Sequence, residues 1–161
     1  MTIDEYNISV DDFSDGVYRF VLKNCHNSEL AHDLVQDSFM RLWIKRKEVN
    51  FKKGKSWLFS TAYHRLIDHV RKNDRISSIE GREHHTPLSY DQYSDVKEVL
   101  DRAVRQLPDI QRSVVLLRDY EGYSYREIGE ITSLSESQVK VYIYRARLFL
   151  KKYIVSPDLV I

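Results

Sequence analysis

Two stretches of this sequence hold side chains whose type and spacing suit chemistry, and in both the chemistry is capture of a polyanion rather than bond making. From Gln138 to Lys152 the chain carries Lys140, Arg145, Arg147, Lys151 and Lys152 without one acidic residue, and Val141, Tyr142 and Tyr144 lie among them. Cations with no local counter-charge attract phosphate, and a helix bearing them has the width of a DNA major groove. The second stretch is FKKGKSW, where Lys52, Lys53 and Lys55 follow Phe51 and Trp57 comes next. Lysines track a phosphate backbone while rings stack on unpaired bases, a pairing suited to single-stranded nucleic acid.

Groups for catalysis are missing by comparison. The chain has no glycine-rich phosphate loop and no nucleophile motif, so an enzyme finds little support. Cys25, His26 and His32 have no fourth ligand at a recognisable spacing, and His84 and His85 read as incidental, so neither a metal nor a cofactor is expected. Cys25 is the one cysteine, which excludes an internal disulfide. The N-terminus MTIDEYNISV is acidic and lacks the apolar core of a signal peptide, and no apolar run reaches the length of a membrane span. These features fit a soluble protein of the cytoplasm with no membrane insertion.

The basic stretch near the C-terminus needs a scaffold, and local signals supply one. Ser124 precedes Glu127 by three residues and Ser135 precedes Gln138 by three; each pair is a capping box that starts a helix. The spacing predicts a short helix from Tyr125 to Ile131, a turn of Thr132, Ser133 and Leu134, and a long second helix. Val139, Ile143, Ala146 and Leu150 recur at helical spacing along it and form its buried stripe. This is a helix-turn-helix.

Upstream, helical spacing recurs. Phe13, Val17, Phe20 and Val21 mark one helix, weakened by Gly16. A second, capped by Asn27 or Ser28, runs to about Lys47 and buries Ala31, Leu34, Val35, Ser38 and Leu42. Its outer face then holds Asp33, Gln36, Asp37, Met40 and Arg41. A third helix from about Ser56 to Arg71 buries Leu58, Ala62, Leu66 and Val70, with Trp57, Tyr63 and His64 off that stripe. Residues 73–94 have no sustained period and hold Gly81 and Pro87, which reads as a linker between two domains. Regular structure resumes with Asp95 as an N-cap and Val96, Val99, Leu100, Ala103, Val104 and Leu107 at helical spacing; Pro108 opens a further helix that Gly122 ends. The expected fold is all-α: two small helical domains, 8–73 and 95–154, joined by a flexible linker over 74–94, the second domain a helix-turn-helix.

The net charge of +1 hides strong sorting. Residues 1–40 hold two basic residues, Arg19 and Lys23, against eight acidic ones, whereas residues 41–75 hold eleven basic against three acidic. Two basic regions separated along the chain can touch a polyanion at two places.

DLVQDSFMRLW (Asp33 to Trp43), KSWLFSTAYHRLIDHVRK (Lys55 to Lys72) and LPDIQRSVVLLRDYEGYSYREIGEI (Leu107 to Ile131), in that order, resemble bacterial RNA polymerase sigma factors of the extracytoplasmic-function (ECF) type. The resemblance covers roughly residues 10–152 and implies promoter-specific transcription initiation. It implies that Asp33, Gln36, Asp37, Met40 and Arg41 dock on core RNA polymerase. Phe51, Lys52, Lys53, Lys55, Trp57 and His64 would hold the melted minus-ten strand, and Gln138, Lys140, Val141, Tyr142, Tyr144 and Arg145 would read the minus-thirty-five duplex. An anti-sigma factor is a common partner in that family, though no residue here points to one. The chain departs from the family pattern at Val141 and Tyr142, where serine and arginine are common, and at His64, where asparagine is frequent. Valine offers a base only apolar contact, for example to a thymine methyl, so promoter preference is expected to differ. The alternative is a stand-alone helix-turn-helix regulator whose N-terminal domain senses a ligand or dimerises, which leaves the Phe51 to Trp57 stretch unexplained.

Overall fold

The structure, a computed structural model, describes residues 1–80 and 96–155. Among the described residues all regular structure is helical: α1 (Ile3–Cys25), α2 (Ser28–Lys45), a 3-10 turn (Phe51–Lys53), α3 (Gly54–Glu80), α4 (Val96–Gln106), α5 (Asp109–Val115), a π-helical turn (Leu116–Tyr120), α6 (Tyr125–Thr132) and α7 (Glu136–Val155). Helices α1, α2 and α3 pack on one another, and α7 packs across α4, α5 and α6. The two groups also meet, α3 on α6 and α1 on α5, so buried side chains run continuously from Val17 to Leu150.

Helix α1 starts well ahead of Phe13, its first expected apolar position. Thr2 and Glu5 form a capping box, with Glu5 N–H donating to Thr2 Oγ1 at 3.1 Å and Thr2 N–H to Glu5 Oε1 at 2.9 Å. The Met1 ammonium donates to the carbonyls of Arg46 and Val49, tying this end to the turn after α2. Asn27 caps α2 by accepting from Leu30 N–H at 3.1 Å. Ala31, Leu34, Ser38 and Leu42 are buried as the spacing predicts, Val35 is half-buried, and Phe39 joins the core beside them.

Helix α3 begins at Gly54 and continues to Glu80, past the expected end near Arg71, because nothing from Lys72 to Glu80 breaks a helix. The rest of the expected linker, with Gly81, His84, His85, Pro87 and the Asp95 cap, lies outside the described residues. Two faces of α3 are covered. Leu58, Ala62 and Leu66 are buried, and so are Phe59 and Tyr63, which pattern alone left off the buried stripe.

In the second half, Ala103, Val104 and Leu107 are buried while Val96 is 71% exposed at the helix start. Pro108 is the N-cap of α5 rather than its first residue. The expected single helix up to Gly122 changes pitch: Glu121 N–H donates to Leu116 O at 3.1 Å, a bond five residues back. Val114, Val115, Leu116 and Leu117 are all buried, because this segment is covered from more than one side, by α1 and by α7, and the bond five residues back widens its last turn. Gly122, at φ 78°, ends the run.

The turn between α6 and α7 is tight. Ser133 adopts φ 61°, and Leu134 N–H donates to Gly129 O at 3.1 Å. A Cβ at Gly129 would lie 2.8 Å from Leu134 O, a backbone atom that cannot swing aside. Gly129→Ala should therefore cost about 1–3 kcal/mol, visible as a lower denaturant midpoint with an unchanged slope; an unaltered midpoint would show that the turn relaxes freely.

Candidate nucleic-acid interface

The second capping box forms as expected: Gln138 N–H donates to Ser135 Oγ at 3.1 Å and Ser135 N–H to Gln138 Oε1 at 2.9 Å. It fixes where α7 starts, and the i, i+4 register then sorts its side chains. Val139, Ile143, Ala146 and Leu150 are buried. Lys140, Val141, Tyr144 and Arg145 are exposed and Tyr142 is half-buried. Gln138 spends its amide oxygen on the cap, so its NH2 group is the part that can donate to a base. A shallow notch of about 200 Å³ lies between Ser137, Gln138, Val141, Tyr142 and Arg145, with Val141 as its apolar member.

The cations of this face are not equivalent. Lys140 Nζ lies 3.7 Å from Glu136 Oε1 and 5.7 Å from the Tyr125 ring centroid, and both are contacts that an exposed lysine gives up at little cost. Arg147 is held more firmly, with Nη2 at 2.6 Å and Nε at 3.2 Å from the two carboxylate oxygens of Asp119. Donating these hydrogen bonds to Asp119 raises the guanidinium pKa further. Arg147 therefore joins α7 to the π-helical turn and is an anchor rather than a member of the basic face.

The second basic stretch forms the connection between α2 and α3. An open groove of about 540 Å³ is lined by Lys45, Glu48, Val49, Asn50, Lys53 and Trp57. Asn50 caps the 3-10 turn by accepting from Lys52 N–H at 3.0 Å. Lys52 and Lys53 are exposed, and Phe51 and Trp57 are half-buried. One aromatic wall with lysines at the rim is the arrangement that holds an unstacked base. Sequence reasoning named Lys53 and Trp57 but missed Lys45, Glu48, Val49 and Asn50, which reach the groove because α2 ends at Lys45.

Two of the expected strand-binding residues are engaged elsewhere. Lys55 Nζ sits 4.9 Å from the ring centroid of Tyr123, whose hydroxyl pKa is pushed up by burial and by nearby Glu127 and Glu121. His64 Nδ1 is 2.7 Å from Ser60 O; a carbonyl only accepts, so Nδ1 carries the proton. His64 Nε2 lies 3.3 Å from Ser133 Oγ.

On the outer face of α2, Asp33, Gln36, Met40 and Arg41 are exposed. Asp37 is ion-paired to Arg41 Nε at 3.0 Å and to Arg65 Nε at 2.8 Å, so it orders this face from within. Trp43 and Ile44, exposed at 38% and 70%, extend the surface beyond the expected set. Their signal was present: they lie three and four residues after Met40, off the buried stripe.

Comparison with known proteins follows the same division. Residues 10–76 match the family described as Sigma-70 region 2, and residues 97–150 match Sigma-70, region 4. The ECF RNA polymerase sigma factor SigM of Bacillus subtilis (strain 168) is 35% identical over 160 residues, covering 94% of this chain and 94% of that protein. The RNA polymerase sigma factor YlaC of the same organism is 30% identical over 145 residues, covering 84% of each. In fold, the chain is similar to the sigma factor RpoE of Bartonella quintana, solved in complex with the anti-sigma factor NepR; the TM-score is 0.81 at 22% identity, over 97% of this chain and 99% of that one.

The Arg147–Asp119 pair can be tested as a structural contact. A double-mutant cycle of Arg147→Ala and Asp119→Ala should give a coupling of about 0.5–1 kcal/mol in chemical denaturation. A coupling of zero would return Arg147 to the basic face.

Proposed function

Because this chain belongs to the sigma-70 family of RNA polymerase sigma factors, within its ECF group, we propose that its two basic regions divide one promoter between them. The protein acts with core RNA polymerase to direct promoter-specific transcription initiation. The residue assignment is our reading. Lys140, Val141, Tyr142, Tyr144 and Arg145, with the NH2 group of Gln138, read the minus-thirty-five duplex from the major groove. The groove of Lys45, Asn50, Lys53 and Trp57, with Phe51, Lys52, Lys55 and His64, holds the non-template strand of the melted minus-ten element. Asp33, Gln36, Met40 and Arg41, ordered by Asp37 and extended by Trp43 and Ile44, bind the polymerase.

One observation carries this reading: a single chain pairs an acid-free recognition helix with a separate groove of lysines around tryptophan. Duplex readout needs only the first. Strand opening needs the second, since a base is accessible to stacking only after it leaves the duplex. The match of residues 10–76 to sigma region 2 weighs against a stand-alone regulator. On this reading residues 8–73 form the polymerase and minus-ten unit, residues 74–94 the linker and residues 95–154 the minus-thirty-five unit. The protein contributes no catalysis of its own and works in the cytoplasm beside the polymerase. Among the described residues no helix is long and apolar enough to cross a membrane. Val141 at the centre of the recognition face favours a thymine methyl, which biases the protein toward A·T-containing sites.

Run-off transcription with purified core polymerase tests the function: promoter-specific transcripts are expected, and their absence would overturn it. Lys140→Ala should weaken minus-thirty-five binding by about 1–3 kcal/mol if it contacts a base, or reduce the salt slope by about one if it contacts phosphate. Binding unchanged at every salt concentration removes Lys140 from the interface. Trp57→Ala should spare polymerase binding yet slow promoter opening, read by permanganate reactivity of unpaired thymines. Normal opening would leave Trp57 a packing residue.

A further inference from the structure

Helix α7 turns one edge toward its scaffold and leaves another open. Glu136, Lys140, Ile143 and Arg147 share the scaffold edge at helical spacing. Ile143 is buried there, Lys140 Nζ lies 5.7 Å from the Tyr125 ring centroid, and Arg147 is paired to Asp119. Gln138, Val141, Tyr142 and Arg145 share the open edge, also at spacings of three and four. With Ser137 they line the notch of about 200 Å³, and none of these residues is acidic. Val141 is 45% exposed, so an apolar side chain stands bare among polar ones. The Tyr142 ring is packed on the core and gives the notch a fixed wall.

What this notch can read is set by a residue that first serves the fold. A glutamine reads adenine with both ends of its amide, accepting from N6 and donating to N7. In Gln138 the oxygen is turned back onto the Ser135 N–H at 2.9 Å. The capping box thus leaves the other end of the amide, the NH2 donor, for a base. A donor needs an acceptor on the base edge, and Val141 needs an apolar group next to that acceptor. In the major groove adenine and guanine present no methyl group, and cytosine presents a donor, N4–H2. Thymine alone sets a methyl group beside an acceptor, O4.

We propose that the notch of Ser137, Gln138, Val141, Tyr142 and Arg145 is a two-point thymine site: the C5 methyl group lies against Val141 and the Tyr142 ring, and O4 accepts from the Gln138 NH2 group. The site belongs to the minus-thirty-five face and rests on the promoter reading above. It separates thymine from uracil by the methyl contact and from cytosine by both contacts. A cytosine methylated at C5 keeps the methyl contact but turns its N4–H2 donor toward the Gln138 donor. The protein therefore rejects that base in favour of thymine, although the two share a methyl group.

The test uses the holoenzyme, assembled from the full chain and core polymerase, on a promoter selected from random minus-thirty-five sequence. Replacing each thymine of that element in turn by deoxyuridine should reveal a position where loss of the methyl group weakens promoter binding about fourfold. Val141→Ala changes an exposed side chain, which leaves the fold intact, and should bind the thymine and deoxyuridine duplexes alike. Gln138→Glu keeps the cap, because a carboxylate oxygen also accepts from the Ser135 N–H, but it replaces the donor by an acceptor. At the sensitive position the wild type should favour thymine over 5-methylcytosine, paired with guanine, roughly tenfold, and Gln138→Glu should reverse that order. Ratios taken on one protein cancel the added negative charge. An element with no position sensitive to deoxyuridine, undiminished sensitivity in Val141→Ala, or an unreversed order in Gln138→Glu overturns the thymine site. Failure of the promoter reading would appear separately, as no promoter-specific run-off from wild type with core polymerase.

Discussion

The burial of Phe59 is the interaction on which the rest of the structure depends. Its ring lies 5.7 Å from Phe20 of α1 and 5.3 Å from Tyr123 ahead of α6, and it is 1% exposed. A phenylalanine removed fully from water contributes about 1.5–3 kcal/mol, and edge and tilted ring contacts add to that. One side chain thus completes two groups of helices, because α3 packs on α1 and α2 on one side and on α6 on the other. Its first turns carry Lys55, Trp57 and His64, so the residues proposed to hold the melted strand lie beside the packing that joins the halves.

Charge sorting has a similar double role. Helix α1 is acidic, and its two cations are spent on the C-terminal half. The basic residues of α7 divide by partner rather than by type. Arg147 is tied to Asp119, while Lys140 has a loose i, i+4 partner in Glu136 and Arg145 is exposed. A count of cations along the helix would treat the three alike. Only the position of the π-helical turn, which brings Asp119 under α7, separates them.

The helix-turn-helix was largely legible in advance because its determinants are local. Capping boxes act within three residues, and both formed at the expected serines. The buried stripe of α7 follows from 3.6-residue periodicity and needed no knowledge of what lay beneath it. The groove at the α2–α3 connection was legible in part. Lys53 and Trp57 were visible as a cluster, but Lys45, Val49 and Asn50 joined them only because α2 stops and the chain turns back. Tyr63 shows the limit most plainly: it lies off the first buried stripe of α3 yet is 4% exposed, since a second surface covers that side.

By itself the sequence determined the all-helical class, the helix starts set by caps, the family, and the presence of two basic regions of different character. Each is a property of neighbours within a few residues or of composition, where short-range hydrogen bonding and periodicity decide. Tertiary structure alone decided which cations are free to meet DNA, which carboxylates pair with them, and that the two halves close on each other through Arg19 and Glu121. Those outcomes depend on contacts between residues about a hundred positions apart, whose energies come from desolvation and geometry that no local pattern encodes.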